Sequence, residues 1–175
     1  GFSQTACGFV LEFADIITTH VMNSTATNVG GWPASSMRSY LSTDIYNALP
    51  ADLQSIIIDT KVVSGHGTSD SANFTSTDKL YLLDAREVYG TSYNYVFNTS
   101  KDSERQLDYY LALGVTESNS SGAIKQLNES NYPWWLRTAD FSYNDGFFGV
   151  GYGGDWYNNT AAETKGGVSP AFRIA

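Results

Sequence analysis

The chain has 175 residues, 42% of them hydrophobic and 14% aromatic, and a net charge of -8. This length suits one domain with a sizeable core, and the composition excludes a disordered chain. The acidic balance argues against nucleic-acid backbones and anionic membrane surfaces, which need clustered Lys and Arg, and no apolar run is long enough to span a bilayer.

From the amino terminus, Gly8–Ile17 begins with alternation. Phe9, Leu11 and Phe13 fall on one face, which predicts a strand. Asn23–Trp32 is rich in turn formers. Ser35-Ser36 then opens an amphipathic helix through Met37, Tyr40 and Leu41 toward Tyr46 and Leu49. Leu49-Pro50-Ala51-Asp52 starts a second short helix, with Pro at a tolerated first-turn position. Ile56–Val63 is rich in β-branched residues and reads as a strand. Ser64–Thr77 is a long polar loop, Lys79–Leu83 a short strand and Asp84–Tyr89 a helical turn. Ser103–Leu113 predicts a helix, with Leu107, Tyr110 and Leu111 on one stripe and Gly114 past its end. Trp134–Thr138, Phe147–Tyr152 and Ala171–Ile174 are the remaining strand candidates. There is no linker and no period of 20–50 residues. The expectation is one α+β domain over residues 1–175, helical in its first two-thirds and loop-rich in its last third.

Catalytic signals are thin. Cys7 is the only cysteine, so neither an internal disulfide nor a zinc site of several cysteines is available. His20 and His66 are the only histidines, and nothing places His66 beside Cys7 as a nucleophilic pair. Asp70 with Asp78, and Asp140 with Asp145, are paired carboxylates of the kind that eighteen acids produce by chance. Asp140, Asp145 and Asp155 could hold calcium with loop carbonyls, but they lack a regular D-x-D-x-D-G spacing. No metal or other cofactor is assigned. The glycines at 146, 149, 151, 153 and 154 lie among aromatics and precede no helix, unlike a phosphate loop.

Asp140–Thr160 is the most informative stretch. Of its 21 residues, seven are aromatic and five are Gly, with no Lys, Arg, Glu, Gln, Met, Leu or Ile. Tyr, Asn, Gly, Ser and Asp make up the palette of an antibody-like binding surface: rigid aromatic area plus adaptable polar contacts. Alternation separates face from frame. Phe148, Val150 and Trp156 are expected inward, joining a strand that carries Trp134, Trp135 and Arg137. Arg137 would pair with a buried acid or stack on an aromatic, and so hold the loop that follows. The expected ligand-binding residues are Asp140, Phe141, Tyr143, Asp145, Phe147, Gly149, Gly151, Tyr152, Asp155, Tyr157, Asn158 and Asn159. Gly153 would join Gly149 and Gly151 in letting a ligand reach the backbone.

The motifs Trp134-Trp135-Leu136-Arg137-Thr138-Ala139 and Gly167-Val168-Ser169-Pro170-Ala171-Phe172-Arg173-Ile174 flank this stretch. With Gly31-Trp32-Pro33 to Tyr40, Tyr46–Pro50 and Thr77–Leu83, they resemble a domain of formally unknown function common in Gram-positive gut bacteria and their phages. That group is similar to the variable proteins of diversity-generating retroelements, in which adenines at the 3′ end of the target gene are randomised. The resemblance spans nearly the whole chain. It implies a C-type-lectin fold of the kind shared with formylglycine-generating enzymes, with Phe9–Phe13 paired to Ala171–Ile174 and a variable region at about 134–165. It also implies a protein or glycan ligand, and an extracellular place on a bacterial surface or a phage particle. Randomising the adenines of an AAC or AAT codon cannot yield Trp, Lys, Glu, Gln or Met. Within Asp140–Thr160 only Trp156 falls outside the reachable set. The enzymes of this fold use two cysteines and the animal lectins a Glu-Pro-Asn type triplet. Neither is present, so the expectation is a binding protein and not an enzyme. The other readings are a fixed carbohydrate-binding module and a structural spacer domain.

Overall fold

In the computed structural model, which describes residues 1–5, 8–65, 74–90 and 105–175, the chain closes on itself near its two ends. The first half contains strands β1 (Phe2–Thr5), β2 (Gly8–Glu12) and β3 (Thr18–His20), then helices α1 (Gly31–Ala34), α2 (Ser36–Tyr40), α3 (Tyr46–Ala48) and α4 (Ala51–Ile56). Strands β4 (Ile57–Ile58), β5 (Thr60–Ser64) and β6 (Phe74–Asp78) follow, then helices α5 (Ala85–Tyr89) and α6 (Asp108–Ala112). The last third is stranded: β7 (Gln126–Leu127), β8 (Ser130–Asn131), β9 (Trp134–Ala139), β10 (Gly146–Val150), β11 (Trp156–Ala161), β12 (Gly166–Val168) and β13 (Ala171–Ile174). The chain is thus an α+β protein.

One sheet has the order β1-β2-β13-β4 and the other β11-β10-β9-β12-β3. β13 pairs antiparallel with β2, Ala171 opposite Glu12 and Ile174 opposite Phe9, as expected of the terminal segments. β5 and β6 form a separate hairpin, as do β7 and β8. The core lies between these layers and includes Trp32, Met37, Leu41, Leu82, Tyr89, Trp134, Trp135, Phe147 and Phe148.

Ser35 caps α2, its hydroxyl accepting from the Arg38 amide. The helix continues through a π-turn over Leu41–Ile45 into α3, as the Met37, Tyr40 and Leu41 pattern predicts. Pro50 stands at the cap of α4. Buried Asp78 ties these helices to β6: it accepts from Trp32 Nε1 at 2.9 Å and from Arg38 Nε at 2.6 Å.

Several expectations are corrected. The strand expected at Gly8 is β2 and ends at Glu12; Leu11 packs on the core half-buried, while Val10 and Glu12 on the other face are buried, the Glu12 carboxylate accepting from Tyr110 Oη at 2.5 Å. The Ile56–Val63 strand breaks at Asp59 and serves two sheets. The 64–77 loop ends in β6. Lys79–Leu83 is not a strand; Tyr81 makes a single bridge to Ala171. α6 is shorter than expected: Leu107 is its cap, and Leu111 is 61% exposed while Tyr110 is buried. Its predicted start at Ser103, and the candidates Cys7, His66 and Asp70, lie outside the described residues.

β1, β3, β7, β8, β11 and β12 are additional. Two of the three residues of β12 are glycine, and packing demands it. A Cβ on Gly166 would sit 2.6 Å from the indole nitrogen of Trp135, which donates to the His20 carbonyl at 3.0 Å.

Candidate ligand-binding face

The face rests on β9, buried along its whole length. Trp134 donates to the Ala123 carbonyl at 3.0 Å and lies beneath the Lys125 ammonium, 5.1 Å from its ring centroid. Arg137 is buried among acceptors. It donates to the carbonyls of Val63 at 2.8 Å and Leu82 at 2.7 Å, and pairs with Glu87 at 2.5 Å and Asp84 at 3.3 Å. Its guanidinium also stands 5.8 Å from the centre of the Tyr81 ring. Burial alone would lower its pKa; the carboxylates of Glu87 and Asp84 outweigh that and raise it. Arg137 therefore has both expected kinds of partner. They sit on β5, on the segment before α5 and, for Glu87, in α5 itself, so it clamps those rather than the loop that follows β9.

That loop, 140–145, is held by Asn28. The buried Asn28 Nδ2 donates to the carbonyls of Asp140, Tyr143 and Gly146 at 2.8 Å each, and its backbone amide donates to Asn144 O at 2.9 Å. Asp140 turns inward, 0% exposed, and its Oδ1 accepts from the amides of Ser142 and Tyr143 at 2.7 and 3.3 Å. Asp140 is thus a turn-former and not a surface residue, contrary to expectation. Phe141 and Asp145 are half-buried, and Tyr143 stands 52% exposed at the tip.

β10 is buried along its length. Phe147, expected outward, is 0% exposed. The register shifts between Phe147 and Gly149 against both neighbours, so strict alternation fails and Phe147 and Phe148 both enter the core. Gly149 and Gly151, expected open to a ligand, are also buried. The Tyr157 ring covers them: a Cβ on Gly149 would come within 3.1 Å of Tyr157 Cζ, and one on Gly151 within 3.5 Å of its Cδ1. Val150 is in the frame as expected. Trp156 is half-buried and packs on Phe148 at 5.8 Å between centroids.

Beyond β10 the chain turns at 151–155 and presents Tyr152, Gly153 and Asp155. This turn is anchored from below. Tyr89 Oη, at the end of α5, donates to the Gly154 carbonyl at 2.5 Å, and Gly151 N donates to Asp155 O at 2.7 Å. Burial pushes the Tyr89 phenol well up, and Asp155 adds to the shift. Gly154 adopts φ +84°, and a Cβ there would lie 2.0 Å from the Ser120 carbonyl oxygen. Only glycine fits. Tyr152 is 62% exposed and meets Tyr132, just after β8, edge-on at 6.2 Å and 66°. Tyr157 is half-buried, and its phenol is shifted up by burial, with Tyr152, Tyr132 and Asp155 nearby. Asn158 and Asn159 continue β11.

The family described as "Domain of unknown function (DUF6273)" matches residues 9–175. The chain belongs to this family. No curated protein and no solved structure matches it.

The expected binding residues of this DUF6273 chain therefore fall into two groups. Phe141, Tyr143 and Asp145 lie at one end of β10. Tyr152, Asp155 and Tyr157 lie at the other, so Asp155 is not placed with Asp140 and Asp145 as one calcium set. Among the described residues no three His, Cys, Asp or Glu side chains group to hold a metal, and no helix is long and apolar enough to cross a membrane. Sequence reasoning missed Asn28, Tyr89 and Tyr132. Each acts on a segment distant in sequence, and only Tyr132, beside Pro133-Trp134, carried any local signal as one more aromatic.

Proposed function

We propose that this domain is a recognition module of C-type-lectin type whose C-terminal segment is diversified by a retroelement. It would be displayed on a bacterial surface or a phage particle and bind a protein or glycan without catalysing a reaction. One observation carries the reading: exposed tyrosines sit on two loops, each pinned through its backbone by a buried side chain from elsewhere in the chain. Asn28 holds the Tyr143 loop and Tyr89 holds the Tyr152 turn. Such anchoring lets outward side chains change while the backbone stays in place, as a diversified binder needs. On this reading the residues open to change include 141–145, 152, 153, 155 and 157, none of which is buried.

The test is deep sequencing of the gene's 3′ end in its native population, with a search of the flanking DNA for a reverse transcriptase and a near-copy template. Variation at adenines of those codons, with codons 140, 147, 148 and 150 constant, is the expected result. An invariant 3′ end without a template would refute diversification and leave a fixed binding module.

A further inference from the structure

The Tyr152 end of the face has a specific chemistry. Tyr132 and Tyr152 meet edge to face, and Tyr157 lies along Gly149 and Gly151. Asp155 Oδ1 stands 3.2 Å from where a Gly151 Cβ would be and 3.1 Å from that of Gly153. Tyr157 covers Gly149 and Gly151, and Gly153 is exposed backbone beside the carboxylate. Asn131 Nδ2 donates to the Tyr152 carbonyl at 3.3 Å and fixes the Tyr152 backbone against the β7–β8 hairpin.

Among the described residues of the nearby elements, no cation neutralises this patch. Lys125, the basic residue of the adjoining hairpin, is buried and donates to the Phe13 and Ala14 carbonyls at 2.7 and 3.1 Å. Lys165 follows β11 at the end opposite Tyr157. The ionisable groups acting most strongly on Tyr157 are Tyr152, Tyr132 and Asp155. Ring faces carry negative quadrupole potential, and an adjacent carboxylate adds to it. The whole chain, at net charge -8, reinforces the same sign.

Resting on the recognition reading, we propose that Tyr132, Tyr152, Tyr157 and Asp155 form a recess for a lysine or arginine side chain of a polypeptide partner. The cation would lie against the exposed Tyr152 ring with its charge toward Asp155. Gly153, exposed and without a side chain beside Asp155, leaves room for it.

The test is an NMR titration of the 175-residue protein with acetyl-hexalysine amide, and separately with cellohexaose. Hexalysine should move the resonances of Tyr132, Tyr152, Asp155 and Tyr157 most. Tyr152→Ala and Asp155→Asn should each weaken it roughly two- to fivefold, the effect of losing one exposed cation–π or charge contact. Asp44→Asn, an equal charge change on the exposed helical segment, should leave it nearly unchanged. Equal weakening by Asp44→Asn and Asp155→Asn would overturn the proposal, leaving only diffuse attraction. Cellohexaose moving those four residues while hexalysine does not would also overturn it, but would keep the face as a saccharide site. Silence of the four with both probes, alongside shifts elsewhere, would overturn both the recess and the recognition face.

Discussion

Asn28→Asp keeps the shape of the side chain that holds the 140–145 loop and inverts its polarity. In the native protein the two N–H bonds of the amide are shared among three carbonyls, each 2.8 Å away, in a position that is 1% exposed. At about 0.5–1.5 kcal/mol net per hydrogen bond, losing these donors costs roughly 2–4 kcal/mol, allowing for the shared bonds. An ionised carboxylate would face carbonyl oxygens with no donor, so the new carboxyl titrates above the ordinary value of about 3.9. A carboxyl whose folded pKa is raised is least harmful below its unfolded pKa. Its penalty grows as pH rises, by about 1.4 kcal/mol per unit, until the folded pKa is reached. Urea unfolding of the variant and the native protein at pH 4.5 and pH 7 measures this difference. The deficit should be clearly larger at pH 7, whereas that of Asn28→Ala should be flat. A pH-independent deficit no larger than that of Asn28→Ala would refute the role given to the amide.

Arg137→Met should cost about 3–5 kcal/mol, because it leaves Asp84 and Glu87 buried without their cation; chemical denaturation reads the loss, and Asp84→Asn with Glu87→Gln in the same chain should recover part of it. Gly154→Ala should destabilise by more than the roughly 1–2 kcal/mol of left-handed strain alone, since its Cβ meets the Ser120 carbonyl, and the resonances of Tyr152 and Asp155 should shift with the displaced turn. Burial raises the phenols of Tyr81, Tyr89 and Tyr110 above their ordinary value of 10.0. Groups so raised stabilise fully below the unfolded pKa and lose that contribution above it, so stability should fall from about pH 10 upward by about 1.4 kcal/mol per unit for each. Lys125, lowered by burial, works in the opposite direction below its ordinary 10.5, so the slope is best read above that pH, where Tyr81→Phe should reduce it by roughly one tyrosine's share.

The frame was legible where periodicity is strong. Trp134-Trp135-Leu136-Arg137 alternates, and all four side chains are buried on β9, two toward each face. Two of the strands missed contain residues that disfavour strands on their own. Asp155 precedes β11, Asn158 and Asn159 lie within it, and Gly166-Gly167 open β12; pairing with β10 and β9 overrides those preferences. Face and frame were confused at Phe147 because alternation assumes a regular register, and the shift before Gly149 is a property of three strands together. Asn28 and Tyr89 were illegible for a related reason. Their role depends on carbonyls 112 and 65 residues further along, and a carbonyl has no sequence signature.

The position of β10 also constrains the size of what binds. The Tyr143 loop precedes this five-residue strand and the Tyr152 turn follows it, so the strand alone separates them by about 13 Å. A single sugar ring or one side chain engages one end only. A ligand weakened by both Tyr143→Ala and Tyr152→Ala must span β10, which requires a folded partner or an extended chain. The two substitutions lie beyond the distance at which coupling is usual, so their effects on such a ligand should add within about 0.5 kcal/mol. Tyr152→Ala acting alone would place the whole contact in the Tyr132, Tyr157 and Asp155 recess and leave the Tyr143 loop as a bystander. Strong non-additivity would mean that the two ends share one rigid element through the partner, or that the frame between them moves.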